Sequence, residues 1–171
     1  MRYAFLLLLI FLPGCTGIPD GVEAVDGFNV SRYLGKWYEI ARLDHPFERN
    51  LTAVTAEYSL RQDGGITVVN SGYDPVKQKR VSVEGKAYLI ETPEQGRLKV
   101  SFFGPFYASY NIIALDKQDY RYAMVTGPNL DYLWILSRTP QLDEAVLAGL
   151  KTQARQLGFA VDELIYVSHT P

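Results

Sequence analysis

The chain has 171 residues, enough for one domain plus a short processed segment, and its 47% hydrophobic and 13% aromatic content can fill a core. A formal net charge of −2, with lysine and arginine scattered along the chain, leaves no basic field to attract nucleic acid. The single cysteine excludes an intrachain disulfide and a thiolate-rich metal site, and neither a metal nor a cofactor is expected.

At the amino terminus Arg2 precedes an apolar run from Tyr3 to Leu12, followed by Pro13-Gly14-Cys15. A bilayer core needs roughly 20 apolar residues, so this run is too short to cross it. It has the length of the hydrophobic region of an export signal, about 7–15 residues. Leu12-Pro13-Gly14-Cys15 resembles a lipobox, the bacterial signal for lipid attachment at cysteine, with a less usual proline before the glycine. That resemblance implies a signal peptide over residues 1–14, a lipid on Cys15 and a tether over residues 15–26, made flexible by Gly17, Pro19, Asp20 and Gly21. The remaining domain is residues 27–171. Thr16 is not the aspartate that, in lipoproteins, favours inner-membrane retention, so the implied destination is the outer membrane, with the domain facing the periplasm. Stable anchoring takes more than one acyl chain, and a lipoprotein cysteine carries several.

From Trp37 onward the sequence predicts short strands separated by turns. The first two are Trp37–Leu43 and Ala53–Arg61, and Gln62-Asp63-Gly64-Gly65 then supplies the glycines of a tight hairpin. Ile66–Tyr73 returns to the Asp74-Pro75 turn, where Lys77-Gln78-Lys79-Arg80 reads as a solvated cluster. Val81–Ile90 alternates Val83, Gly85, Ala87 and Leu89 against Ser82, Glu84, Lys86 and Tyr88, the period of a strand with one sheltered and one wet face. Leu98–Phe103, Ala108–Leu115, Tyr120–Thr126 and Tyr132–Ser137 complete eight strands. Next comes a helix predicted to start with Thr139 as cap and Pro140 at its first position, with Asp143 and Glu144 near its positive end, and to stop at Gly158. Leu164–Val167 is a last short strand. The fold class is therefore all-β: an eight-stranded antiparallel up-and-down barrel with one carboxy-terminal helix packed outside. Closure removes exposed edges, and eight strands leave room for one small ligand.

Tyr33-Leu34-Gly35-Lys36-Trp37-Tyr38-Glu39-Ile40-Ala41-Arg42 resembles the first signature block of the lipocalin family, and Leu133-Trp134-Ile135-Leu136-Ser137-Arg138 its third. The middle block is weaker, with Leu115-Asp116, Tyr120 and Tyr122 standing in its place. The resemblance spans residues 27 to 168. Phe102-Phe103-Gly104-Pro105-Phe106-Tyr107 and the run Trp134 to Pro140 are similar to bacterial outer-membrane lipocalins, in the branch that also holds apolipoprotein D. The resemblance implies that Trp37 plugs the closed end of the barrel with Arg138 across its ring, a structural pair worth roughly 0.5–2 kcal/mol as a cation–π contact. It places Tyr58, Asn70, Phe102 and Trp134 in the cavity wall. Strand parity adds Ala56, Val68, Val100, Asn111, Ile113 and Tyr132. Asp74 and Asn111 depart from the apolipoprotein D pattern, which offers a basic residue and a tryptophan there. The loop His45 to Thr52 covers the mouth. Arg42, His45 and Arg49 could meet a phosphate or carboxylate there, the alternative being a solvated loop.

The implied function is to bind and store or transport a lipophilic molecule at the outer membrane, foremost a fatty acid such as palmitate or a lysophospholipid. A tetrapyrrole ligand, a ligand-free structural envelope lipoprotein and an enzyme acting on lipids are the alternatives. Nucleophilic catalysis needs a base set against a serine or cysteine. The only histidines are His45 and His169, in the mouth loop and the tail, so no catalytic residue is predicted. A homodimer is left open.

Overall fold

The computed structural model describes residues 16–169; the export signal expected over residues 1–14 and the lipid site expected at Cys15 lie outside the described residues. Eight antiparallel strands follow in order: β1 (Gly35–Arg42), β2 (Thr52–Leu60), β3 (Ile66–Asp74), β4 (Lys79–Leu89), β5 (Arg97–Ser101), β6 (Ala108–Leu115), β7 (Tyr122–Thr126) and β8 (Leu133–Ser137). Each pairs with the next, and β1 pairs with both β2 and β8, which closes the barrel. A ninth strand, β9 (Ile165–Tyr166), adds to β1 from outside through Ala41 and Arg42. The barrel and outer helix expected from the sequence are therefore present.

The up-and-down path puts the β1–β2, β3–β4, β5–β6 and β7–β8 connections at one end, the mouth. The other end is covered by a short helix, α1 (Val30–Tyr33), which sequence periodicity did not indicate. Asn29 caps it, and Arg32 reaches across to the carbonyls of Lys117 and Gln118 in the β6–β7 turn. In the Asp63-Gly64-Gly65 hairpin Gly64 has φ +81°, and a Cβ on Gly65 would come within 2.6 Å of the Tyr88 ring, so both positions require glycine.

Three local expectations change. The carboxy-terminal helix, α2 (Glu144–Gln156), begins after Asp143 and not after Thr139, because the Asp143 carboxylate accepts from the backbone N–H groups of Ala145 and Val146. Tyr120 has φ 56° and belongs to the turn, so β7 starts at Tyr122. The tether is docked: Val22 is buried, the Val25 N–H donates to the Ile112 carbonyl, and the Gly96 N–H donates to that of Val25.

Apolar residues form two cores. Trp37, Tyr58, Val68, Ala87, Leu98, Ile112, Val125 and Leu136 point into the barrel. Ile113, Met124, Leu133 and Ile135 point out and pack under Leu150 and Ala154 of α2.

Candidate ligand site

At the closed end Trp37 is fully buried and its indole N–H donates to the Tyr33 carbonyl at 2.8 Å. The Arg138 guanidinium lies over the indole ring. Above this floor the Tyr110 hydroxyl is 2.7 Å from that of Tyr33 and 2.8 Å from that of Tyr58. Burial raises the pKa of all three phenols, so this cross-barrel trio stays protonated and neutral.

Tyr58 and Val68 face each other across β2 and β3, with Ala56 and Asn70 one inward position nearer the mouth. Val100 and Phe102 come from β5 and the residue after it, and Trp134 and Tyr132 from the β8 side. The wall is largely apolar, with Asn70 as a polar exception whose Oδ1 is buried without a hydrogen-bond donor among the described residues. Phe102 and Trp134 are half-buried, so they keep faces that a guest can cover.

Two residues expected in the wall face the other way. Asn111 donates through Nδ2 to the carbonyls of Gly17 at 3.1 Å and Gly127 at 3.2 Å, which fastens the tether to the outside of β6. Ile113 packs in the outer core with Leu150. The Tyr110 hydroxyl bonds fix that side chain inward, so its neighbour must point out, and the β6–β7 register shifts between Ile112 and Ala114. Tyr110 and Ile112 take the inward positions instead.

The mouth holds polar residues that parity alone did not select. Glu39 shares the inward face of β1 with Trp37, and Arg42 donates to it at 2.6 Å and to the Glu48 carbonyl at 2.8 Å. The Glu48 carboxylate accepts from the Trp134 indole at 3.2 Å and lies 3.1 Å from His45 Nε2. Glu39, Arg42 and His45 are at most 3% exposed, so this part of the loop is folded into the mouth. Arg49 instead pairs with Asp44 in solvent. Burial, reinforced by Glu48, pushes Glu39 well above the carboxylate range against the pull of Arg42. Burial pushes Glu48 up too, but the contact with His45 and the bonds from Glu39 and Trp134 outweigh it and hold Glu48 low. The whole is a largely apolar barrel interior with a neutral tyrosine floor and a buried polar cluster at its rim.

The Lipocalin-like domain family model matches residues 28–169. Outer membrane lipoprotein Blc of Vibrio cholerae is 51% identical over 168 residues, covering 98% of each chain. The protein of the same name from Escherichia coli K12 is 54% identical over 149 residues, 87% of this chain and 84% of that one. Apolipoprotein D of Rattus norvegicus is 36% identical over 132 residues, 74% of this chain and 69% of its own. Insecticyanin of the tobacco hornworm Manduca sexta, a solved structure, has a TM-score of 0.72 at 20% identity over 90% of this chain and 87% of that one, a likeness of fold.

Proposed function

The chain belongs to the lipocalin family, and we propose that this member binds fatty acids or lysophospholipids and stores or transports them at the bacterial outer membrane, without catalysis. Its place there follows relatives named as outer membrane lipoproteins, with Cys15 as the lipid attachment site. Small-molecule sites are mostly apolar with a few polar groups that orient the guest. The barrel interior has that make-up, and the observation that carries the reading is the half-buried pair Phe102 and Trp134 on its wall. An acyl chain would lie against Val68, Val100 and Phe102, with its polar end toward Trp134 and the mouth.

Native mass spectrometry of freshly purified protein, followed by lipid extraction, tests this directly. A co-purifying lipid, together with quenching of tryptophan emission by palmitate or lysophosphatidylethanolamine, is the expected result. Visible absorbance from a bound tetrapyrrole, or no response to either lipid, would replace the reading. The anchor has its own test: Cys15→Ser should no longer fractionate with membranes.

A further inference from the structure

The hydroxyls of Tyr33, Tyr110 and Tyr58 form an unbranched row, with Tyr110 in the middle at 2.7 and 2.8 Å from its neighbours. Each hydroxyl has one proton to donate. Whichever way the two bonds run, they use two of the three protons, and these hydroxyls make no other hydrogen bond among the described residues. One O–H is therefore left without an acceptor. Ionisation does not remove it, since burial holds all three phenols neutral. A buried donor without an acceptor is unfavourable, and such an exception in a folded protein calls for a partner.

The wall offers a matching group just above. Tyr58 pairs with Val68 and Ala56 with Asn70, so Asn70 stands one inward rung nearer the mouth, about 7 Å along the strand. Its Oδ1 is buried and accepts from no donor among the described residues. Val68 and Val100 make the wall around them hydrocarbon. Ala56, Asn70, Val100 and Tyr110 point inward and are nevertheless only half-buried, so surface that a guest can cover extends down to the floor. The Arg138 guanidinium at this end is committed to the Trp37 ring and to three backbone carbonyls. A carboxylate brought to this depth would be buried without a counter-ion, so the charged end of a lipid stays at the mouth and its chain comes down. Tyr58 lies six residues along β2 from Thr52 at the mouth, about 20 Å of strand, so the distal half of an acyl chain is the part that reaches the row.

We infer that the tyrosine row and Asn70 form a deep polar subsite for a hydroxyl group on the distal half of an acyl chain, the alcohol oxygen accepting from the spare phenol proton and its own proton going to Asn70 Oδ1. An alcohol fits because it both accepts and donates. A keto oxygen serves only the phenol, and a plain chain serves neither group. The guest is thus a hydroxylated acyl lipid, an inference that rests on the lipid-carrier reading and narrows it.

The test loads the full lipidated chain, in non-ionic detergent, with either of two equimolar mixtures. One pairs octadecanoate with its derivative hydroxylated at the twelfth carbon, the other with its derivative hydroxylated beside the carboxylate. Native mass spectrometry counts the acids bound, and Tyr58→Phe/Tyr110→Phe, read in the same mixtures, cancels their unequal partition into detergent. For the twelfth-carbon derivative, the bound ratio of hydroxylated to plain acid is expected to be about fivefold higher in wild type than in the double variant, as one hydrogen bond in an apolar site gives. For the other derivative the ratio should be the same in both proteins. No rise for either derivative, or an equal rise for both, overturns the inference. Octadecanoate bound by the double variant reports an intact barrel. Should that variant not fold, wild type decides: the twelfth-carbon derivative, deuterated to separate it by mass, should outcompete the other about fivefold, and equal occupancy overturns the inference. Wild type that binds octadecanoate without preferring the twelfth-carbon derivative refutes the subsite and leaves the carrier reading standing. Wild type that binds none of the acids overturns both.

Discussion

The guanidinium carbon of Arg138 lies 3.9 Å from the centre of the Trp37 ring, joining the end of β8 to the start of β1. The same guanidinium donates to the carbonyls of Arg32 at 2.8 Å, Lys36 at 3.0 Å and Tyr120 at 3.2 Å. One side chain thus ties α1, β1 and the β6–β7 turn together over the indole. Gly35, next to it, has φ +88°, a left-handed conformation that favours glycine. The pair is a structural closure of the barrel floor.

Trp37→Ala should therefore cost roughly 3–5 kcal/mol, the range for deleting a buried aromatic side chain. Arg138→Ala should cost less. Because the two share a contact, the double variant should fall short of the summed losses by about 0.5–2 kcal/mol. Urea unfolding of the four proteins measures this. Strict additivity would mean that the floor does not depend on the contact.

Asn111 separates the two faces of β6. Asn111→Ala strands the Gly17 and Gly127 carbonyls, so a loss of about 1–3 kcal/mol in stability is expected with lipid affinity unchanged. A variant of normal stability with weakened lipid binding would put Asn111 back in the barrel interior.

The misplacement of Asn111 and Ile113 shows where sequence stops being legible. Strand boundaries, the hairpin glycines and the helix stop at Gly158 are local signals, and period-two alternation reads well on β3 and β4, whose pairing is unbroken from Ile66–Ala87 to Asp74–Lys79. Parity fails where a register shift interrupts it, as between Ile112 and Ala114 in β6 and between Glu39 and Ala41 in β1. Both shifts leave consecutive apolar residues, Ile113-Ala114 and Ile40-Ala41, in the outer core. The signal for Glu39 was present: a carboxylate two residues after Trp37 on an inward face, where only a buried partner makes it tolerable. That partner is Arg42, brought inward by the same shift, and no pattern in sequence announces it.

The mouth cluster makes stability depend on pH in two opposite ways. Glu39 has a raised pKa in the fold, so the native state keeps a proton that the unfolded chain releases above about pH 4.3. Stability from this group is therefore full below that range and falls as pH rises, by at most about 1.4 kcal/mol per unit, until Glu39 ionises. Glu48 has a lowered pKa, so its contribution is present above the ordinary range and lost as pH falls through its folded value. Glu39→Gln keeps the shape and removes the first dependence. Relative to wild type it should gain stability as pH rises above the ordinary carboxylate range. Glu48→Gln should be destabilised at neutral pH, having lost the charge that Trp134 and His45 face. Urea midpoints across that rise in pH decide it, and a constant difference between wild type and Glu39→Gln would mean that Glu39 is already ionised at the acid end.

The barrel wall is tested at Phe102. Its ring lies against Gly85, where a Cβ would come within 2.6 Å of the ring Cδ1, so aromatic ring and bare backbone fit each other across β4. Phe102→Asp places a carboxyl where an acyl chain would pass, which is costly for an apolar guest even if the group protonates. Phe102 is half-buried and lies just past the end of β5, so the barrel should fold, as circular dichroism would verify. Lipid affinity should drop about tenfold or more, on the order of 1.4 kcal/mol. Glu84→Lys, next to Gly85 but exposed on the outer face, is the control and should bind normally. In wild type, Trp134 should account for most of the emission change on binding, because Trp37 is sealed beneath Arg138. If folded Phe102→Asp and Glu84→Lys bind lipid equally well, the guest lies outside the barrel and the wall described above is not its site.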